Sequence, residues 1–317
     1  MNTQEIQIMR QTTQILDQVQ RVIVGKDEQL RWVLAAILAK GHILLEDVPG
    51  VGKTTMALVF SQTLQMEHGR VQFTPDVLPS DVTGYSILEK DTGRMVYSKG
   101  AILCNLFLAD ELNRATSRTQ SALLEAMEEG QVTVDGVCHP IPKPFTVIAT
   151  QNPTGAAGTQ LLPDSQMDRF MIRLSLGYPT VDDELNMVLN RQAGDPLKSL
   201  SSVVSREEIC RMQEITAQTH VSREAILYAI GLINATRNHP HLERGASPRT
   251  TLAVVALSKA VARLHDRDYV VPEDIRECFP YTVTHRLLVA HTARARNIQA
   301  ADIVQEILKK NPAPKLR

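Results

Sequence analysis

Residues 46–55, EDVPGVGKTT, are of types that could bind the phosphates of a nucleotide. Glycines in such a loop allow successive backbone N–H groups to turn toward a pyrophosphate at the N-terminus of the following helix. Lys53 would reach the β and γ phosphates, and the Thr54 hydroxyl would be a ligand of Mg²⁺. The predicted phosphate-binding residues are Gly50, Val51, Gly52, Lys53, Thr54 and Thr55. The alternative interpretation is an ordinary glycine turn between a strand and a helix.

Asp47 departs from the generic phosphate-loop pattern, which has its first glycine at this position. Aspartate is one of the few residues other than glycine that tolerate unusual turn dihedrals. We therefore expect Asp47 to be able to begin the loop, provided that its carboxylate points away from the phosphates.

A second candidate group is the carboxylate pair Asp110 and Glu111, which ends the apolar stretch of CNLFLADELNRA. A carboxylate at the carboxyl end of a parallel strand can hold the Mg²⁺ shell, and its neighbour can orient and polarise a water for attack on the γ phosphate. Asp110 is therefore predicted as the metal residue and Glu111 as the catalytic one. A solvated acidic helix cap is the alternative.

Asn152 follows a third apolar stretch, FTVIATQNP. If this strand lies between the two strands already described, the Asn152 amide would hold a water and contact the γ phosphate. Thr150 is a weaker substitute for that role. Taken alone, Asn152 is more typical of a turn before Pro153.

These groups require a parallel sheet, and the sequence contains the elements for one. GHILLED, GRVQFT, CNLFLADE and FTVIATQNP are predicted as buried strands, with helices such as TTMALVFSQTLQ and TQSALLEAMEEG between them. Beyond about residue 180 strand signals nearly vanish and four segments carry apolar residues at helical spacing. We predict an α/β domain over residues 1–180, a helical domain over 181–317, and a linker at GYPTVDDE.

Composition excludes several other classes of protein. The 34 basic and 35 acidic residues nearly cancel, which disfavours a nucleic-acid partner. The N-terminus has no apolar secretory core and no stretch is long enough to span a membrane, so a cytoplasmic protein without membrane insertion is expected. The four cysteines are far apart, and the histidines of HPH at 239–241 have no partner at ligand spacing, so zinc ligation and disulfides have little support.

The order of motifs resembles that of the AAA+ ATPases, and within them the MoxR family. EDVPGVGKT, LADELNRA, ATQNP, LP…Q.DRF and SPR are all present, and the resemblance runs from Val22 to the HRL at 285–287. It implies an AAA+ P-loop core with a parallel sheet, an all-α helical lid, and a homo-hexameric ring that binds ATP or ADP with Mg²⁺ between neighbours. Aspartate at position 47 is the family's own variant of the loop.

The resemblance also implies roles for residues that are weak candidates alone. VIVGKDE at 22–28 looks like the segment that packs on adenine through Ile23 and Val24, although an ordinary helix start is the alternative. Arg169 matches the arginine that reaches into the next subunit's site and neutralises charge on the γ phosphate; without the family, Arg173 would be an equal candidate. Arg249 resembles the lid sensor of the γ phosphate, and is otherwise a solvated arginine at a helix start.

Two insertions resemble those of the helix-2-insert clade. Residues 75–102 are too long for a simple turn, and residues 128–145 are typical of a hairpin about VDG, the pre-sensor hairpin. In that clade such loops project toward the ring face or pore, so Leu78, Tyr85 and Val134 could transmit motion to a partner. Alternatively, they only cover an exposed sheet edge.

The functional hypothesis is ATP hydrolysis that drives chaperone-like remodelling of a client protein. The family resemblance implies a von Willebrand factor A domain protein as adaptor, in complex assembly or metal-cofactor maturation. Two alternatives remain open on the residues: the motor subunit of a metal chelatase, and a nucleotide-gated binding scaffold with negligible turnover.

Overall fold

A five-stranded, all-parallel sheet positions the candidate residues, in the order β2-β5-β8-β1-β9. The computed structural model describes residues 3–48, 50–152, 162–192 and 194–314. Its strands are β1 (Ile43–Glu46), β2 (His68–Gln72), β3 (Gly84–Leu88), β4 (Met95–Lys99), β5 (Leu106–Asp110), β6 (Gln131–Val134), β7 (Val137–Pro140), β8 (Thr146–Gln151), β9 (Ile172–Leu174), β10 (Leu242–Arg244) and β11 (Leu288–Val289). The four predicted sheet strands are confirmed as β1, β2, β5 and β8.

Burial follows position in the sheet. Every residue of β5 and β8 is buried, as expected of central parallel strands that are covered by helices on both faces. Strand β2 was predicted to be buried, but it lies at the edge and its residues are half-buried or exposed. Strand β8 lies between β5 and β1. This order confirms the strand placement on which the expectation for Asn152 depended.

The helices are α1 (Thr3–Gln20), α2 (Asp27–Leu38), α3 (Lys53–Thr63), α4 (Pro79–Thr83), α5 (Ser117–Glu129), α6 (Asp164–Met167), α7 (Val181–Gln192), α8 (Arg206–Ala217), α9 (Arg223–Arg237), α10 (Pro248–Leu264), α11 (Pro272–Val283), α12 (His291–Arg294) and α13 (Ala300–Lys310). The four helices predicted beyond residue 180 are confirmed as α7 to α10. Ser205, Ser222 and Ser247 each accept a backbone N–H at the start of the next helix, which explains where α8, α9 and α10 begin.

The helical region packs directly on the sheet region. One core joins Trp32 of α2 and Phe60 of α3 to Met212 of α8 and Leu257 of α10. A second core fills the other face of the sheet around Phe107 and lies against α5. The C-terminal helices have their own core, and a short antiparallel ladder, β10–β11, lies beside them and was not predicted from the sequence. The boundary at residue 180/181 stays a prediction.

Both insertions contain antiparallel hairpins. Strands β3 and β4 pair over residues 84–99, and β6 pairs with β7 around Asp135 and Gly136, which both have positive φ. Positive φ at both turn residues is the requirement of a two-residue hairpin turn, so the hairpin predicted about VDG is confirmed. The rings of Tyr97 and His139 stack with centroids 3.7 Å apart and thereby join the two insertions.

His42 connects α5 to the start of β8 through two hydrogen bonds of its ring. Its Nε2 donates to the carbonyl of Met127 and its Nδ1 accepts the N–H of Val147, so the neutral ring satisfies both contacts. Burial lowers the pKa of His42 to about 4. None of the described helices is long and apolar enough to cross a bilayer.

Candidate active site

The phosphate loop connects β1 to α3 at the carboxyl edge of the sheet. Gly50 and Gly52 have φ of 89° and 94°, in the left-handed region that favours glycine, and Gly52 is the N-cap of α3. A Cβ on either glycine would meet no atom of the described chain within 4 Å, so the loop is open toward a ligand. Lys53 is buried and donates from Nζ to the carbonyl of Asp47 at 2.8 Å. Pro49 lies outside the described residues.

Burial lowers the pKa of the Lys53 ammonium below its ordinary value, while the carboxylates of Asp47, Asp110 and Glu111 oppose that shift. A buried ammonium near three carboxylates indicates a site whose charges converge on one place. Two groups that are far apart in the chain, the phosphate loop and the end of β5, are therefore brought together.

The structure gives a reason for Asp47 that differs from the one expected. Asp47 is not one of the residues with positive φ, so tolerance of an unusual turn does not explain it. Its buried carboxylate instead accepts the Ser175 hydroxyl at 2.7 Å and the backbone N–H groups of Leu176 and Gly177 at 2.6 and 3.1 Å. The carboxylate is thus directed toward residues 175–177, and its orientation relative to bound phosphates stays a prediction. Asp47 thus anchors the phosphate loop to the segment between β9 and α7.

Asp110 and Glu111 share a hydrogen-bond network with Thr150. The Thr150 hydroxyl donates to Asp110 Oδ1 and accepts the N–H of Glu111, both at 2.8 Å. Glu111 has φ of 55° and ψ of 47°, a conformation that is unfavourable for a residue other than glycine and frequent at functional sites. Arg70 pairs with Asp110 at 2.9 Å, and Arg114 pairs with Glu111 at 2.7 Å. Both carboxylates are therefore held in place by named partners.

Asn152 follows β8 directly, beside the end of β5. Its carbonyl accepts a hydrogen bond from Asn113 Nδ2 at 3.3 Å. The Oδ1 of Asn113 is buried and has no hydrogen-bond partner in the described part of the chain. The two asparagines thus link the ends of the central strands, and the catalytic role of Asn152 stays a prediction.

A cavity of about 300 Å³ adjoins the phosphate loop. Segment 22–26, the loop and α7 line it, including Ile23, Val24, Val51 and Thr55. These apolar walls next to a phosphate loop are suitable for a purine ring. Gly25 permits this arrangement, because a Cβ there would lie within 2.5 Å of the Asp183 carboxylate on α7.

Arg169 and Arg249 lie at the opposite edge of the sheet and meet at one carboxylate. Glu128, near the end of α5, pairs with Arg169 at 2.8 Å and also with Arg249. Its neighbour Met127 contacts His42, the residue before β1, so this end of α5 lies at the amino edge. A strand of four to six residues is roughly 13–20 Å long. The two predicted arginines are therefore together, but they are far from the Lys53 of their own chain.

C-terminal residues hold the segment that carries Arg169. Arg286 is buried, pairs with Asp168 at 2.9 Å and donates to the carbonyls of Asp168 and Phe170. Burial lowers the pKa of Arg286 to about 10, and the Asp168 charge opposes that shift. His285 also contacts the Phe170 carbonyl, and the Ser247 hydroxyl donates to Asp168. The arginine segment and the helical region thus form one unit.

Arg173 has a different environment. Its guanidinium pairs with Glu46, the last residue of β1, at 2.8 Å, and Glu46 also accepts an N–H from Gln151. These contacts tie Arg173 to the carboxyl edge of its own sheet. Arg169 and Arg173 thus lie at different edges of the sheet, and the choice of Arg169 as the residue that reaches a neighbour stays a prediction.

Several residues of these networks were not predicted from the sequence. Arg114 could have been found from its spacing of three residues after Glu111. Arg70 and Glu128 gave no local signal, because their partners lie 40 or more residues away. Thr150 was considered only as a substitute for Asn152, although it makes the closer contacts to the carboxylates.

The donor set fits a magnesium nucleotide. Thr54 supplies a hydroxyl beside Lys53, and Asp110 supplies a buried carboxylate, both hard oxygen ligands of the kind Mg²⁺ prefers. The open glycine loop at the N-terminus of α3 offers backbone N–H groups to phosphate.

Comparisons with known proteins agree with this geometry. Residues 42–172 match the model of the ATPase family associated with various cellular activities (AAA), and residues 234–307 match that of the AAA lid domain. The chain is 43% identical to the protein YeaC of Bacillus subtilis (strain 168), over 94% of this chain and 93% of YeaC.

Two further similar proteins identify the family within the AAA+ ATPases. It is 35% identical to the chaperone MoxR1 of Mycobacterium tuberculosis (strain ATCC 25618 / H37Rv), over 94% of this chain and 81% of MoxR1. A crystal structure of a candidate ATPase from Cytophaga hutchinsonii (ATCC 33406) superposes on this chain with a TM-score of 0.91 at 34% sequence identity. The match covers 98% of this chain and 97% of the Cytophaga hutchinsonii chain. With its AAA core, its AAA lid and this similarity along nearly its whole length, the chain belongs to the MoxR family of AAA+ ATPases.

Proposed function

We propose that the protein hydrolyses ATP at sites shared between neighbouring copies in a ring of six, and uses the cycle to remodel a client protein. The observation that carries this proposal is the separation of the predicted residues between two edges of the sheet. Lys53, Asp110 and Glu111 lie at the carboxyl edge, whereas Arg169 pairs with Glu128 at the amino edge. A complete site then requires the carboxyl edge of one copy and the amino edge of the next.

Within one half of the site, each residue has a distinct task. Lys53 would leave the Asp47 carbonyl to contact the β and γ phosphates. Thr54 and Asp110 would hold Mg²⁺, which when bound offsets phosphate charge. Glu111 would orient a water and take its proton, with Thr150 holding its backbone in place. Asn152 would bind the same water or the γ phosphate.

The neighbour would supply the positive charge. Arg169 and Arg249 each pair with Glu128, so each would exchange this carboxylate for phosphate when it binds the neighbour's nucleotide. A guanidinium that reaches the γ phosphate offsets the charge that develops during transfer. Arg249 would then read the neighbour's nucleotide rather than its own, which differs from the lid sensor implied by the family resemblance.

The client would contact the two hairpins. Tyr85, Leu88 and Met95 in the β3–β4 insertion are at least half exposed, as are Leu78 before α4 and Val137 in the second hairpin. Exposed apolar groups of this kind mark protein contacts. The Mycobacterium tuberculosis relative is named a chaperone, which supports a protein client. A von Willebrand factor A domain adaptor, and a role in complex assembly or metal-cofactor maturation, rest on the family resemblance.

Two single variants test the ATPase. Lys53→Ala should lose ATP affinity, because it removes the cation that faces the phosphates. Glu111→Gln should keep ATP bound but slow hydrolysis on the order of a hundredfold or more, because only water activation is impaired. Steady-state turnover and equilibrium nucleotide binding would be measured for both. Normal hydrolysis by both variants would show that the site lies elsewhere.

Mixing tests the shared site. Lys53→Ala offers an arginine but no working pocket, and Arg169→Ala offers a pocket but no arginine, so a mixture of the two should recover part of the activity. The matched control is an assembly in which every copy carries both changes. If the mixed assembly forms but recovers nothing at any ratio, Arg169 does not act between copies.

The adaptor is tested by binding. The Glu111→Gln protein should associate with the von Willebrand factor A protein encoded nearest to it more tightly with ATP than with ADP or without nucleotide, because only differential affinity couples hydrolysis to work. Equal affinity in all three conditions would contradict the coupling.

A further inference from the structure

Helix α7 presents an apolar stripe that no described part of the chain covers. Val181, Leu185, Val188 and Leu189 have exposed fractions of 83, 56, 57 and 50%, and α7 has no buried residue. Their spacing places them on one side of the helix, which is the pattern by which an amphipathic helix packs into a core. A stripe of this kind on a short helix is typical of a protein contact surface.

A groove of about 480 Å³ lies among the helices of the C-terminal region. It is formed by the end of α2 together with α8, α9 and α10, and its walls are mainly apolar, including Leu38, Ile226, Ile230 and Leu252. Leu252 is 73% exposed. The groove therefore offers an apolar surface between helices, and such grooves are where an amphipathic helix can lay its apolar face.

The stripe and the groove lie at opposite edges of the sheet. Helix α7 lines the nucleotide cavity at the carboxyl edge through Met187, and Asp183 lies against Gly25. The groove includes Ala39 and Lys40, just before β1, and so lies at the amino edge. The two surfaces cannot meet within one copy, but they can meet head to tail between two copies.

Charge supports the same pairing. The first turn of α7 carries Asp182, Asp183 and Glu184, whereas Lys40 and Lys259 line the groove. Opposite charges at the rim of an apolar contact set its register and reject wrong partners. The groove therefore complements the stripe of α7 in charge as well as in apolar character.

Both surfaces also adjoin the two halves of the proposed shared ATP site. Leu252 is one helical turn from Arg249 on α10, and Arg249 shares Glu128 with Arg169. The α7 helix adjoins the phosphate loop around the same cavity. When the arginines of one copy approach the phosphate loop of the next, the groove of the first is thus on the side toward α7 of the second.

We infer that the apolar stripe of α7 docks into the α8–α9–α10 groove of the neighbouring copy. This inference rests on the proposed shared site and identifies a second contact between the same two copies. The occupant of the groove is a second copy of this chain, and an assembly that forms without this contact would leave the groove to a client or an adaptor.

Site-directed cross-linking tests the contact. In a background with Glu111→Gln to retain ATP and with Cys138 and Cys210 changed to serine, we would mix a Leu185→Cys chain with a Leu252→Cys chain. A short bismaleimide should give covalent dimers in the mixture and few with either chain alone. The matched control is Leu227→Cys in place of Leu252→Cys, because Leu227 is 54% exposed on α9 but does not line the groove.

Two parallel readouts separate the possible failures. Sedimentation reports assembly, and complementation of Lys53→Ala by Arg169→Ala reports the shared ATP site. Assembly and complementation without the 185–252 cross-link, or with equal cross-linking at position 227, would overturn the docking contact alone. Absence of assembly and of complementation would overturn the proposed function together with it.

Discussion

Replacing Asp47 by glycine would restore the generic phosphate-loop residue, and the structure predicts that this change is harmful. If aspartate were only a tolerated substitute for glycine, Asp47→Gly would leave stability unchanged or raise it. The buried carboxylate instead accepts three hydrogen bonds, from Ser175, Leu176 and Gly177. The variant would leave these donors without their acceptor.

The size of the loss follows from those contacts. A hydrogen bond to a charged group contributes about 1.5–3 kcal/mol, and an orphaned buried donor costs about 1–3 kcal/mol. The N–H of Leu176 is buried, whereas Ser175 is exposed and can turn to water. Counting the Leu176 bond in full and the other two in part, we expect Asp47→Gly to lower the free energy of unfolding by about 3 kcal/mol. The added backbone freedom of glycine contributes about 0.5–1 kcal/mol more.

The assay is urea denaturation followed by circular dichroism, together with equilibrium ATP binding. Ser175→Ala is the matched control, because it removes one exposed donor and should cost about 1 kcal/mol or less. ATP binding by Asp47→Gly should also weaken, since the loop loses its tether to the segment before α7. An Asp47→Gly protein that is as stable as the wild type and binds ATP as well would refute this account of Asp47.

Three further changes test other contacts. Thr150→Val keeps the shape of a fully buried side chain but removes the acceptor of the Glu111 N–H, so it should cost about 1–3 kcal/mol of unfolding free energy and slow ATP turnover, with Thr150→Ser as control. Arg286→Lys removes a buried guanidinium that pairs with Asp168 and donates to the Asp168 and Phe170 carbonyls, so it should cost about 3 kcal/mol. Arg244→Lys, at an exposed pair, should change stability by less than about 1 kcal/mol, and equal effects would contradict the buried contact. The His42 ring has a pKa of about 4 in the folded chain, below its ordinary 6.5. The unfolded chain therefore binds a proton on this ring at a higher pH than the folded chain does, so the free energy of unfolding should fall as pH drops from about 6.5 toward 4. The fall should be at most about 3 kcal/mol, because the ring is only partly shielded from water. The control is His42→Asn: if the free energy of unfolding of the wild type falls with acid no more than that of the variant, His42 is not the cause.

The carboxyl edge of the site could be predicted because it depends on local patterns. Apolar runs that end in polar residues identify parallel strands, and parallel strands end at one edge, so Lys53, Asp110 and Asn152 had to be near one another. The order of the strands is confirmed, and the Asp110 carboxylate lies near enough to Lys53 to affect its pKa, whereas the place of Asn152 at the nucleotide stays a prediction. The hairpin turn at Asp135 and Gly136 was predictable for a similar reason, since two residues determine it.

Contacts between distant segments could not be predicted in this way. The partners of Asp47 lie 128 to 130 residues later in the chain. The position of Arg249 depends on how the C-terminal helices pack against α5, and nothing near residue 249 encodes that packing. Ladder β10–β11 pairs strands of three and two residues, which are too short to show alternation.

The two arginines at Glu128 suggest how one copy would respond to the nucleotide of the next. Their guanidinium groups can pair with Glu128 or with phosphate, and only a difference in interaction between such states can shift a conformational equilibrium. Arg286 binds the carbonyls on both sides of Arg169, so a displacement of Arg169 is passed to the C-terminal helices rather than absorbed by a loose loop. Arg286 follows α11, and α11 packs against α10, which forms one wall of the groove inferred to receive α7. We therefore expect ATP binding in one copy to draw the arginines of its neighbour from Glu128 and to move that neighbour's helical region with them.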